Sequence, residues 1–198
     1  MTGSARPLLA RVLPALVLLA LAGCVRVDGP DEAAPTSSLR SEVDGVETWD
    51  LTAAPSPEAA GIEDGSTAAI FETDEPRDVV LLLPEGRELR VPTEVLTFQR
   101  FSGERDGEVS LGVRGPTVPP DDLVGQLEDL ADQLQVDATG VGDFADEVAA
   151  APVEQTERVR NASPTTTIGD LEVGFSANLA PIAEAGRLVL GGVWESER

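Results

Sequence analysis

Carboxylates dominate the chemistry open to this chain. Its 198 residues carry 36 Asp and Glu against 14 basic residues, every one an Arg, with no His, no Tyr and a single Cys. Without imidazole there is no neutral-pH base for a Ser-His-Asp triad and no His-ligated zinc or haem. Without Lys there is no Schiff base, and one Cys makes neither a CxxC pair nor a thiolate cluster. Three acidic turns stand next to a Gly: Asp28-Gly29-Pro30-Asp31-Glu32, Glu63-Asp64-Gly65 and Glu104-Arg105-Asp106-Gly107. Calcium loops also combine close carboxylates with a turn Gly, but none of the three has the D-x-D-x-D-G-x5-E spacing. Acidic turns are expected in any chain this rich in Asp and Glu, so no metal and no cofactor is predicted.

Glycoside hydrolysis needs two acids flanking a sugar cleft. Such clefts are usually aromatic, and the chain holds only five Phe and two Trp. The nucleophile elbow G-x-S-x-G is absent, as are the P-loop and the dinucleotide glycine motif. Gly191-Gly192 falls in an expected strand, where close packing or a bulge explains it better than phosphate contact. Arg158 and Arg160, two apart on one strand face, are candidate anion receptors, although a solvated face is the commoner use of such a pair. Asn161-Ala162-Ser163 matches a glycosylation sequon only weakly. No catalytic residue is therefore assigned, and the chain is expected not to be an enzyme. The alternatives are a hydrolase working through Asp or Glu, and a carrier of a hydrophobic molecule in a cavity between sheet and helices.

The one Cys has a context. Residues 1–11 are short and basic, with Arg6 and Arg11, and Val12 to Ala22 is an apolar run broken only by Pro14. At about 11 residues the run is shorter than the roughly 20 that a membrane-spanning helix needs. It suits the core of a secretory signal. The run ends in Leu21-Ala22-Gly23-Cys24, which resembles the bacterial lipobox: a branched apolar residue, two small residues, then the modified Cys. The resemblance covers only these first residues. It implies cleavage between Gly23 and Cys24, diacylglyceryl modification of the Cys24 thiol, and anchoring on the extracytoplasmic face of a cell membrane. Several acyl chains hold firmly, because each buried methylene contributes about 0.8 kcal/mol. The Arg-only basic set, with abundant Ala, Gly, Pro and Val, is similar to chains from GC-rich, actinobacterial-type genomes.

These residues divide the chain into a signal peptide over 1–23, an acidic Pro/Ser/Thr-containing tether over 24–45, and one domain over 46–198. The formal charge of −22 opposes contact with nucleic acid. Expected partners are the membrane, through the lipid, and an envelope protein, glycan or lipid.

Val46–Leu51, a β-favouring run that holds Trp49, reads as a first strand or as a linker segment pinned to the domain by its indole. Strands follow at Thr67–Thr73, Asp78–Leu83, Glu88–Val91, Thr93–Phe101 and Val109–Val113. The continuous run Val79–Leu83 predicts a strand buried on both faces. After Gly115 the period changes. Leu123, Leu127, Leu130 and Leu134 form one apolar stripe of a long helix over 119–136, with Gln126, Asp129, Asp132 and Gln133 facing away. A shorter helix is expected over 143–151, presenting Phe144 and Val148. Strands return at Thr156–Ala162, Leu171–Leu179 and Leu188–Trp194, with a Thr-rich turn over 163–169. The predicted fold is α+β, a mostly antiparallel sheet of about seven strands with the two helices packed on one face.

Overall fold

Asp44 and Gly45 both take positive φ, 52° and 78°. That is the two-residue turn whose twist suits a hairpin. It joins β1 (Arg40–Val43) to β2 (Val46–Asp50). The computed structural model describes residues 36–150, 159–162, 165–179 and 185–195. Residues 40–43, expected to be tether, are therefore a strand. The Asp-Gly dipeptide between two short extended runs is what makes them one.

The remaining strands are β3 (Ala68–Leu83), β4 (Arg87–Arg100), β5 (Val109–Val118), β6 (Val159–Ala162), β7 (Thr166–Ile168), β8 (Leu171–Leu179) and β9 (Gly186–Trp194). These nine strands of the described residues belong to one sheet, ordered β1-β2-β3-β4-β5-β9-β8-β6, with β7 beside β6 on the same edge of β8. Every pairing is antiparallel except β2 with β3. The fold is α+β with a mostly antiparallel sheet, richer in strands than the seven expected. The additions are β1 and β7, the latter inside the segment expected to be a Thr-rich turn.

Two pairs of expected strands have fused into long ones. In β3 the register jumps between Glu72 and Arg77, so Thr73–Pro76 bulge opposite Glu94 alone. Pro76 has no N–H to give a ladder, which suits it to a bulge. The Thr73 hydroxyl closes the bulge by donating to the Glu94 carbonyl at 3.2 Å. Opposite it, β4 changes parity: Leu89, Val91, Thr93 and Val95 are buried, then Leu96 and Phe98. In β3, Val79, Leu81 and Leu83 are buried while Val80 and Leu82 are only half-buried, so this strand is not covered on both faces as expected. Leu51, Ala60 and Ile62 of the loop after β2 join the core on the inner face.

α1 (Pro120–Leu134) starts with Pro at its first turn and Asp121 and Asp122 at the positive end of its dipole. Its stripe Leu123, Leu127, Leu130 and Leu134, joined by Ala131, is buried. It lies across β4, β8 and β9. At the β9 end, a methyl group on Gly186 would collide with Leu123 and stand 3.0 Å from Leu179 Cδ1, so helix and sheet are in close contact there. α2 (Thr139–Ala150) begins four residues earlier than expected and packs on α1 and β6. Its start is set by Asp137, whose Oδ1 accepts the Thr139 N–H at 2.9 Å and the Thr139 hydroxyl at 2.6 Å. Phe144 is buried, as the periodicity predicts.

Under β2, β3 and β4 the core is aromatic. Trp49 meets Phe71 edge-on at 4.8 Å between ring centroids and Phe98 at 5.6 Å. Leu51, Ala60 and Ile62 from the loop after β2 bury beside them. The chain before β1 is stitched to that loop, with the Ser37 hydroxyl donating to the Ala59 carbonyl at 2.7 Å.

Candidate functional site

The sheet brings together charged side chains that lie far apart in sequence. β2 puts Glu47 and Trp49 on one face, and β1 and β3 deliver Arg40 and Arg77 from either side. Glu47 Oε2 accepts from Arg40 Nη2 at 2.8 Å and from Arg77 Nη2, while Oε1 accepts the indole N–H of Trp49 at 2.7 Å. One carboxylate thus satisfies the single polar atom of a fully buried Trp and holds two guanidinium groups. The Glu47 side chain is 11% exposed and the two Arg side chains are 42% and 44% exposed. Arg40 and Arg77, with Ser41, Glu42, Gly45 and Glu47, line an open depression of about 360 Å³. Each guanidinium carries five donors, so both retain capacity for a further acceptor.

A second set occupies the outer face where β4, β5 and β9 meet. Arg187 Nη2 is 3.2 Å from Glu94 Oε2, and Arg114 Nε is 3.8 Å from the same oxygen. Arg187 spends its hydrogen bond on the Thr117 hydroxyl at 2.7 Å. Glu94 Oε2 and Arg114 Nε are enclosed and lack hydrogen-bond partners, so their attraction is one of charge without a good bond. The side chains as a whole remain about a third or more exposed, and ion pairs between such groups contribute about 0–1 kcal/mol each.

The residues singled out by sequence fall differently. Gly23, Cys24, the Asp28–Glu32 cluster, Arg158 and Ser163 lie outside the described residues, as do Thr156 and Glu157. Of Arg160 and Asn161 only the backbone is described, in β6 opposite Asn178 and Ala177. Glu63 and Asp64 are exposed in a turn. In the 104–107 turn, Asp106 pairs with Arg100 at 3.0 Å, and Arg105 pairs with Glu108 while lying 4.0 Å over the Phe101 ring. Asp106 and Glu108 thus serve ion pairs. Among the described residues no three carboxylates stand close enough together to hold a metal ion. Gly192 packs, its missing methyl leaving room for Leu171 Cδ1 at 3.2 Å, whereas Gly191 has nothing nearer than 4.0 Å. The Gly191-Gly192 pair is in continuous register, so it makes no bulge.

Among the described residues two carboxyl groups, Asp50 and Asp137, titrate away from their ordinary value of 3.8, both downward. The Thr52 hydroxyl and N–H hold Asp50 down, and the Thr139 hydroxyl and N–H do the same for Asp137. Charge-assisted bonds to the ionised form explain the direction. A general acid needs the opposite shift.

Gln126 and Gln133, expected on the solvent side of α1, each do something else. Gln126 Oε1 is enclosed without a partner. Gln133 is exposed but bonds to the β4 backbone at Arg90, donating to the carbonyl at 3.4 Å and accepting the N–H at 2.8 Å. None of the Arg and Glu residues of the two clusters stood out by spacing, because Glu47 and Arg77 or Arg114 and Arg187 meet only through strand order. No family model, no curated protein and no solved structure matches the chain.

Proposed function

We propose that the chain is a lipoprotein anchored by Cys24 on the extracytoplasmic face of a cell membrane, where its α+β domain is a non-catalytic binding module for an envelope protein, glycan or lipid. The observation that carries this reading is Leu21-Ala22-Gly23-Cys24 at the end of a short apolar run behind a basic start. The missing His, Lys and second Cys argue against most enzyme chemistries. The lowered Asp50 and Asp137 carboxyls do not suit acid catalysis. No helix among the described residues is long and apolar enough to cross a membrane. Because Ser37–Val43 already bond to the domain, the length left for a tether after Cys24 is about a dozen residues. Fully extended, at roughly 3.3–3.6 Å per residue, it reaches about 40 Å.

The test is Cys24→Ser in the producing cell, followed by membrane fractionation and intact mass. The parent chain is expected in the membrane fraction at the mass of a cleaved, acylated protein, and the variant uncleaved or released. An unchanged mass and unchanged membrane partitioning in the variant would overturn the anchor. Binding to isolated envelope fractions by the leaderless protein tests the module, and turnover of an envelope ester or glycoside that stops on Asp or Glu substitution would replace it with a hydrolase.

A further inference from the structure

We infer that β1 is a self-association edge, which pairs antiparallel with β1 of a second copy about a two-fold axis at Ser41. β1 is the end strand of the sheet and all four of its residues are exposed, Val43 by 54%. The Asp50 N–H donates to the Leu39 carbonyl at 2.9 Å, and the ladder runs on through Ser41 opposite Thr48 and Val43 opposite Val46. Hydrogen-bonded pairs alternate along an antiparallel ladder. Ser41 and Val43 therefore turn their backbone groups toward β2, and Arg40 and Glu42 turn theirs to the open edge. There the Arg40 N–H makes one long bond to the Ser37 carbonyl, at 3.4 Å. The Arg40 carbonyl and both backbone groups of Glu42 face outward.

Side-chain charge selects the occupant and the register. Glu42 stands directly opposite Glu47 in a pair that is not hydrogen-bonded, the closer kind, and like charges so placed repel. Arg40 and Arg77 both neutralise Glu47, and Glu42 has no ion pair among the described residues. With the axis at Ser41, Arg40 of each copy faces Glu42 of the other, and the two residues whose backbone groups point outward meet each other. Shifting the axis to Arg40 or Glu42 sets like charges opposite one another. Shifting it to a position between residues sets an outward-facing residue against an inward-facing one. A four-residue edge closes with few bonds, so the contact is weak in dilute solution and grows where copies are concentrated. The inference does not depend on lipid at Cys24.

The test is a disulfide at the axis. Ser41→Cys is placed in the full chain, whose single thiol, Cys24, makes the parent its own blank. Mild oxidation is expected to give a covalent dimer, because directly opposed residues in a pair that is not hydrogen-bonded lie about 4.5 Å apart at Cα, within disulfide reach. Val43→Cys is expected to cross-link severalfold less, since its counterpart in the second copy lies four positions along, roughly 14 Å away. Adding Glu42→Arg to Ser41→Cys is expected to lower the cross-linked fraction severalfold while the melting temperature of the monomer holds or rises, because the same change relieves the Glu42–Glu47 repulsion. No dimer at Ser41 beyond the parent blank, equal cross-linking at Ser41 and Val43, or indifference to Glu42→Arg would each overturn the inference.

Discussion

The side-chain amide of Gln133 pairs with the backbone of Arg90 as another strand would, taking its N–H at 2.8 Å and giving to its carbonyl at 3.4 Å. β5 covers β4 only from Val95 to Arg100, so the first half of β4 presents an open edge beside α1. Arg87 adds to the junction by donating to the Leu134 carbonyl at the helix end at 3.3 Å. An open edge invites pairing with another chain, and here a helix side chain occupies it.

Gln133→Ala should therefore lower stability by about 1 kcal/mol, the net worth of a typical hydrogen bond, with water recovering part of the loss at this exposed position. A urea midpoint measures it. Amide exchange at Arg90 should quicken more than at Leu89, whose N–H lies in the β3 ladder. Equal rates would mean the bridge does not persist in solution.

Gly186→Ala should destabilise the domain by about 1–3 kcal/mol, the usual cost of overpacking. The added methyl meets Leu123, Leu179 Cδ1 at 3.0 Å and the Asn178 carbonyl at 3.1 Å, so α1 must lift or β9 must shift. Gly191→Ala, with nothing nearer than 4.0 Å, is the control and should change thermal stability far less.

At Glu47 the two oxygens do different work, and substitutions separate them. Glu47→Ala removes the acceptor of the buried Trp49 indole and should cost about 1–3 kcal/mol. Glu47→Gln keeps an acceptor for the indole and loses only the attraction for Arg40 and Arg77, so it should cost less than half as much. Tryptophan fluorescence during chemical denaturation reads both. Equal losses would show that the ion pairs, not the indole bond, dominate.

The pH dependence has a definite sign at Asp137. Its folded pKa is depressed below the ordinary 3.8 by the Thr139 hydroxyl and N–H, so the stabilisation is complete above about 3.8 and is lost as pH falls through the lower folded value. Thr139→Val removes the hydroxyl, the larger cause, and should move the Asp137 midpoint up toward 3.8 in a carboxyl-carbon NMR titration. Asp50 should respond in the same direction to Thr52→Val. A midpoint unchanged in either variant would remove the hydrogen bond as the cause.

Local pattern was enough for much of this fold. Leu123, Leu127, Leu130 and Leu134 are buried because helical spacing puts them on one face. Leu171, Val173, Phe175, Ala177 and Leu179 are buried at every second position because a strand with one covered face buries them so, although Ser176 between them is buried too. Gly86, in the short turn between β3 and β4, has a positive φ of 71°, which Gly adopts without steric cost. Where local pattern failed, a tertiary contact had overridden it. The composition around residues 40–43 predicts acidic tether, and they are a strand because the Asp44-Gly45 turn folds them back onto β2. Residues 166–168 are too few to carry a period, so the sequence predicts a turn there, and pairing with β8 makes them β7.

The sequence by itself determined the α+β class, the helix stripe, the principal strands and the poverty of catalytic side chains, since each follows from residue type or from periodicities of 2 and 3.6. Only the tertiary structure decided which charges meet. Arg40, Glu47 and Arg77 converge because β2 runs between β1 and β3, and Glu94 meets Arg114 and Arg187 because β5 and β9 lie side by side. Charge attraction acts through space, and strand order, which no single stretch of sequence encodes, sets those distances.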